Sequence, residues 1–282
     1  MKKRKMIDVV LFAVLSVLLV ATIFPILYTI LSSFKTNMEI MTDPAGLFPK
    51  KFTLDNYRMA LETDNFGVIR MLINSIVYTL FNVAVSVITA SMGGYVFSRG
   101  RFPFKKFIFG CFTAIMFIKL GGISIYATFD VLNLLHIKRS LWSLMLIQLF
   151  GVPIINIYLV KSYIDGLPKE LDEAGKIDGC GFVKILFSII LPLLKPIIAT
   201  VGILAFQASW NDYLMPTIFT LNHENQQTLI VGIMALKNSD GAAVSWNLML
   251  AGATIALLPV LIAYAFANKY FVNGLAAGAV KG

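Results

Sequence analysis

Gln207, Trp210, Asn211 and Asp212 put two amides, an indole and a carboxylate into six consecutive positions at the end of an apolar stretch. Gln207 and Asn211 stand four residues apart and share a face if the stretch is helical. Such groups suit sugar hydroxyls and the apolar face of a sugar ring. Polar and ionisable groups inside an apolar span are expensive, and they line a cavity more readily than they face lipid. Asn74 and Asn82 in one apolar stretch, Gln148 and Asn156 in another and Asn247 in a third add further amides. Hydrogen bonding between helices is the alternative use of each, and Asp212 can equally tie a helix end to a neighbouring loop. Lys119 near the end of another stretch could pair with an anionic solute, or could snorkel to an interface.

A second set of polar residues is built for contact with a partner. Between two apolar stretches lies a segment with Lys161, Lys169, Lys176 and Lys184 and the acidic residues Glu170, Asp172, Glu173 and Asp178. Pro168 fits a first helical turn, where its missing N–H is harmless. Lys169 to Ile177 then forms a short helix, with Leu171 and Ala174 on one face and acidic groups near its N-terminal end, as the helix dipole favours. Gly179 and Gly181 supply a sharp reversal. A second helix starts near Phe182 and runs into Pro192. The expected product is a helix–turn–helix finger under a bilayer, a docking surface for a cytoplasmic protein.

Other chemistries find little support. His136 and His223 are far apart, and Cys111 and Cys180 fall in a predicted span and in the polar segment, so neither a metal site nor a disulfide framework is expected. The spans hold no His/Asp/Glu or Ser/His group for acid–base or nucleophilic work, and no catalytic residue is assigned. Gly175-Lys176 lacks the upstream glycine and the following Ser or Thr of a phosphate loop, so no ATP, magnesium or other cofactor is expected on this chain.

These residues need a membrane scaffold. Of 282 residues 58% are hydrophobic and 14% charged, more apolar than a soluble domain of this size can bury. A spanning helix takes about 20 mostly apolar residues, and the candidates are 9–33, 70–97, 107–128, 140–162, 190–213 and 246–269. The net charge of +9 gathers at the ends of these stretches, which fits anionic headgroups and argues against nucleic acid. With the N-terminus inside, the inner segments hold Lys2, Lys3, Arg4, Lys5, Arg99, Arg101, Lys105, Lys106 and the four lysines of the polar segment. The outer segments hold fewer basic residues and dilute them with Glu39, Asp43, Asp55, Glu62 and Asp64. Both termini are therefore expected in the cytoplasm. The basic N-terminus with its long apolar run reads as an uncleaved first span. In the outer segment near 34–69, Thr53 or Asp55 could cap a short helix.

Glu173-Ala174-Gly175, then Gly179, Ile189, Leu191 and Pro192, resembles the EAA loop of ABC importer permeases, with Gly175 in place of the usual second alanine. The likeness narrows to the carbohydrate-uptake group, similar to the second permease of the maltose system. It rests also on Ser33-Phe34-Lys35-Thr36, Phe52-Thr53-Leu54-Asp55-Asn56-Tyr57, Asn74-Ser75, Tyr95-Val96-Phe97-Ser98-Arg99, Trp210-Asn211-Asp212 and the glycine-rich tail from Val272. The resemblance implies an all-α, polytopic membrane protein with six transmembrane helices and the type I ABC importer permease fold. Residues 1–69 would be a peripheral helix and outer segment, 70–270 the core with its coupling loop at 163–192, and 271–282 a cytoplasmic tail.

It further implies a bacterial cytoplasmic-membrane location and a translocation subunit that performs no bond chemistry alone. Its partners would be a second permease, two ATPase subunits that bind ATP and magnesium, and an extracytoplasmic sugar-binding protein. Glu173 would anchor the finger in a groove of the ATPase, beside the small surface of Ala174 and Gly175. Asp178, Gly179, Leu191 and Pro192 complete the matched coupling positions. Gly274, Gly278 and Lys281 would reach between the ATPases, where a frayed terminus is the alternative. Gln207, Trp210, Asn211, Asp212, Asn74 and Lys119 are the substrate-pathway candidates. The competing expectation is an ion-coupled secondary carrier. Such carriers show paired halves and intramembrane acidic residues, and here only Asp212 lies near a span interior.

Overall fold

The computed structural model describes the backbone of residues 2–62, 67–118, 122–237 and 245–279, and within these the side chains of 7–265 apart from 122–124. Among the described residues all regular structure is helical. The elements are α1 (Lys2–Ser32), α2 (Asn37–Thr42), α3 (Asp55–Glu62), α4 (Val68–Arg99), α5 (Lys105–Ile115), α6 (Gly122–Leu134), α7 (Leu141–Leu149) and α8 (Ile154–Asp165). There follow α9 (Glu170–Ile177), α10 (Phe182–Ile185), a π-helical turn (Leu186–Ile190), α11 (Leu191–Leu193), α12 (Lys195–Trp210), α13 (Leu214–Phe219), α14 (Leu229–Ala235) and α15 (Trp246–Ala279).

Among the described residues four helical stretches are long and apolar enough to cross a membrane: Ile7–Ser32, Val68–Arg99, Leu141–Asp165 and Trp246–Ala265. They coincide with the first, second, fourth and sixth predicted spans. The fifth takes a different form. Phe182–Leu193 and Lys195–Trp210 meet at a bend of 84°. Pro192, Pro196 and the π-helical turn interrupt the regular bonding ladder there, which is how sharp helix bends arise. The third predicted span, 107–128, is not one helix. Met116, Phe117 and Ile118 turn their N–H groups to carbonyls three residues back, a tightening that ends α5. Lys119 lies outside the described residues.

The chain forms two compact units. The first comprises Met1–Leu72 with Thr228–Leu258. Its core gathers Ala60, Val68, Met71, Leu229, Ile233 and Met249. Asn56 knots it: the buried amide donates to the carbonyls of Ser33 (2.7 Å) and Lys35 (2.8 Å), and its Oδ1 accepts from Asn247 (2.8 Å). Ser33 and Tyr57 share a 2.6 Å hydrogen bond, and the Phe34 ring packs on Phe52 and Tyr57. Lys35, also buried, donates to the Gly46 carbonyl. Thr53 Oγ1 takes the Asp55 N–H at 3.1 Å and steadies the first turn of α3. Asn247 thus helps hold this unit together.

The second unit comprises Ile73–Gln227 with Pro259–Gly282. One core joins α4, α8 and the α10–α12 region through Tyr95, Phe97, Val160, Ile164, Ile185 and Ile190. Here α4 and α8 are in direct backbone-scale contact: a methyl group on Gly94 would lie 2.7 Å from Val160 Cγ1 and 3.0 Å from the Lys161 nitrogen. Small residues at helix crossings permit such approach. A second core surrounds Tyr78, Leu132, Leu141, Leu144 and Phe219. The backbone of α15 continues to Ala279, so most of the expected separate tail 271–282 is helical.

Candidate functional site

The finger forms as the residue pattern predicts, and it ends by a definite device. The Cys180 N–H donates to the Gly175 carbonyl at 2.8 Å and the Gly179 N–H to the Lys176 carbonyl at 3.0 Å. This is the Schellman arrangement, and it needs a left-handed residue at Gly179, whose φ is +77°. Gly181 has ordinary extended backbone (φ −70°) before α10, so Gly179 alone makes the reversal expected of both glycines.

One side of α9 is locked to the rest of its unit. Asp172 Oδ1 accepts from the Tyr95 hydroxyl at 2.8 Å, and Oδ2 lies 3.0 Å from Arg99 Nε, both charged side chains being 8% exposed. That pair is an ion contact without hydrogen-bond alignment. The Arg99 guanidinium also donates to the carbonyls of Ile164 (3.1 Å) and Leu167 (2.7 Å), so it clasps the end of α8 as well. Ser98 donates to Asp165 at 2.6 Å, and Phe97 sits among Phe102, Phe109 and Phe112. Lys105 caps the carbonyls of Ser98 and Gly100 at 2.9 Å. Burial, and then the neighbouring charge of Lys161, hold its ammonium below the usual lysine range. On the same side of α9, Gly175 is buried, and a methyl group there would fall 2.7 Å from Ile189 Cδ1.

The other side is free. Glu173, Ala174, Ile177, Asp178 and Gly179 are all exposed, Ile177 at 86%. Leu171 packs on the core while Ala174 does not, so the two do not share a buried face. Leu191 lies against the core and Pro192 at the bend.

A second site lies further along the unit. Tyr78, Asn82 and Ser86 of α4, Gln148 and Asn156 of α7 and α8, and Asp212 after α12 border a cavity of about 550 Å³. Asp212 accepts from the Tyr78 hydroxyl at 2.9 Å and from the Met215 N–H at 3.3 Å. Asn156 donates to Ser86 Oγ at 2.7 Å. Asp212 is the substrate-pathway candidate among the described residues that borders this space, together with the further amides Asn82, Gln148 and Asn156. Trp210 is buried and stacked on Phe206 at 5.6 Å, Asn211 donates back to the Gln207 carbonyl at 2.9 Å, and Gln207 is exposed. Asn74 secures a loop by donating to the carbonyls of Asn225 (3.0 Å) and Gln227 (2.9 Å). Among the described residues no group of three His, Cys, Asp or Glu side chains could hold a metal ion. Gly274 and Gly278 belong to the backbone of α15, and Lys281 is outside the described residues.

Residues 59–276 match the family model of the binding-protein-dependent transport system inner membrane component. The chain belongs to this family. It is a multi-pass membrane permease of the ABC importer kind. This permease is 31% identical to the galactooligosaccharides transport system permease protein GanQ of Bacillus subtilis (strain 168), over 100% of this chain and 99% of GanQ. It is 33% identical to the probable starch degradation products transport system permease protein AmyC of Thermoanaerobacterium thermosulfurigenes, over 92% of each. Its fold is shared, at a TM-score of 0.83 and 22% identity, with a chain in the crystal structure of a bacterial ABC transporter involved in import of the acidic polysaccharide alginate. The match covers 96% of this permease and 98% of that chain.

Two features of the permease escaped sequence reasoning. Asp172, the buried anchor, stands beside Glu173 among other acids, and composition alone does not separate them. The signal was on α4, where Tyr95 and Arg99 lie four apart and so present a hydroxyl and a guanidinium on one face. Tyr78 was missed because a tyrosine in a span reads as packing, yet Asn74, Tyr78, Asn82 and Ser86 recur at every fourth position.

Proposed function

We propose that this permease is one half of the translocation pathway of an ATP-driven carbohydrate importer, with oligosaccharides as substrates, and that α9 receives the motion of the ATPase subunits. The observation that carries the reading is the two-sidedness of α9: one face bound to α4 through Asp172, Tyr95 and Arg99, the other offering Glu173, Ala174 and Ile177 to solvent. An exposed isoleucine beside a carboxylate and small residues suits a protein groove better than water. A force on α9 passes into α4 and α8 because the ion pair and the Gly175 contact leave little slack. ATP and magnesium belong to the ATPases, and this chain does no bond chemistry.

The assembly would contain a second permease, two ATPases and an extracytoplasmic sugar-binding protein, in a bacterial cytoplasmic membrane. The lysine-rich surroundings of α9 support a cytoplasmic position for it and for both termini. Gly274, Gly278 and Lys281 would approach the ATPases. The names of GanQ and AmyC support an oligosaccharide.

The test is sugar-stimulated ATP hydrolysis in proteoliposomes holding this permease with its partner permease, ATPase and loaded binding protein. Glu173→Lys should abolish both the stimulation and ATPase co-purification. Full activity of that variant would remove Glu173 as the anchor. A wild-type permease that retains no ATPase and moves sugar on an ion gradient alone would make it a secondary carrier.

A further inference from the structure

The cavity beside Asp212 contains an acceptor that the protein leaves unused. Asn82 is 8% exposed, and among the described residues its Oδ1 has no hydrogen-bond partner. A buried polar atom left unsatisfied is costly, which makes sense where a donor arrives and departs. Around it the other groups are partly spent. Tyr78 gives its proton to Asp212, and Asn156 gives one to Ser86. The two donors on Asp212, a hydroxyl and a backbone N–H, suit an ionised carboxylate, which has room for about two more. Among the described residues bordering the cavity there is no Lys, Arg or His. The site therefore offers hydroxyl acceptors and one negative charge, with an apolar wall that includes Val85, Leu204 and Ala208. Its volume, about 550 Å³, is within the range of about 300–1,000 Å³ usual for small-molecule sites.

We propose that this cavity is a sugar subsite carried by this permease itself and selective for neutral over carboxylated sugars. Asn82 Oδ1 and Asp212 accept hydroxyl hydrogens, the apolar wall takes the C–H face of a ring, and the Asp212 charge repels a uronate. The proposal rests on the importer reading and narrows its substrate class.

The experiment places a reporter thiol, Ala208→Cys, in the complete transporter with Cys111 and Cys180 replaced by serine. Labelling by a small water-soluble thiol reagent is followed in nanodiscs with galactotriose, maltotriose or trigalacturonate present. Labelling is expected to slow by the factor 1 + [L]/Kd, about tenfold once a neutral probe reaches ten times its dissociation constant. Trigalacturonate should give no protection. Asn82→Leu should remove the protection by the neutral probe, and Asp212→Asn should let trigalacturonate protect. Val85→Cys serves as reporter if Ala208→Cys does not assemble.

Equal protection by trigalacturonate with Asp212 intact overturns the charge selectivity. No protection by a neutral probe that the same complex imports overturns the subsite. A reporter that cannot be labelled even without sugar does so too, because the partner permease then fills the space. A wild-type complex whose ATP hydrolysis responds to no sugar-loaded binding protein defeats the importer reading instead.

Discussion

Arg99 Nε stands 3.0 Å from Asp172 Oδ2 in surroundings that leave each side chain 8% exposed, and the same guanidinium holds two carbonyls at the end of α8. One arginine therefore joins three helices. Removing either partner strands the other as a buried charge, which costs about 3–5 kcal/mol, whereas replacing both with apolar groups is often near neutral. Arg99→Met and Asp172→Leu should each lower the thermal stability of the purified permease strongly, and the double variant should recover much of the loss. A double-mutant cycle of unfolding in detergent measures this. A double variant as unstable as the sum of the singles would mean that the pair has no special coupling.

Gly175 is helical, so its use is space and not backbone freedom. A single methyl would press on Ile189 Cδ1, the movable end of a side chain, at 2.7 Å, and would meet Ile185 Cγ1 of the core at 3.0 Å, a contact that a shift of a few tenths of an ångström relieves. Gly175→Ala should then cost no more than about 1 kcal/mol, while Gly175→Leu overpacks the site by roughly 1–3 kcal/mol. The larger residue should also lift α9 off its seat and reduce ATPase co-purification. Melting temperature and pull-down with the ATPase check both effects, and a Leu variant that keeps wild-type values in both would show that α9 does not depend on a tight seat at Gly175.

Gly179 is a backbone case. With φ at +77°, a Cβ is strained whatever the space around it. Gly179→Ala should destabilise the finger by about 1–2 kcal/mol, and Gly179→Asn by less, since asparagine tolerates this region. Limited proteolysis between α9 and α10 gives the readout: cleavage should rank Ala above Asn above wild type.

Ile177 separates docking from folding. It is the exposed apolar side chain on the free face of α9, so Ile177→Asp should leave the unfolding free energy within about 0.5 kcal/mol of wild type. It should nonetheless weaken ATPase retention at least tenfold, or about 1.4 kcal/mol. Loss of stability without loss of retention would place Ile177 in the fold and not at the interface.

Much of this protein was legible in its residues because the governing rules are local. Length and apolarity marked four of the membrane-crossing stretches. Pro168, Gly179 and Pro192 marked where the finger starts, turns and meets the bend, since each restricts or frees its own backbone. Within the third predicted span, 107–128, apolarity continues past Ile115 while the helix α5 ends there. Apolar composition says where lipid is tolerated, whereas the end of α5 is set by bonding that tightens from residue 116 onward.

Which neighbour faces inward was decided only by the tertiary structure. Asp172 and Glu173 are adjacent acids on one short helix, and about 100° of helical rotation separates a buried anchor from an exposed docking group. Trp210 and Asp212 were grouped by sequence, yet one stacks on Phe206 and the other bonds Tyr78 at the edge of a cavity. Asn82 shows the same division. Its amide was visible in the sequence, but that its oxygen lacks a partner depends on every side chain packed around it.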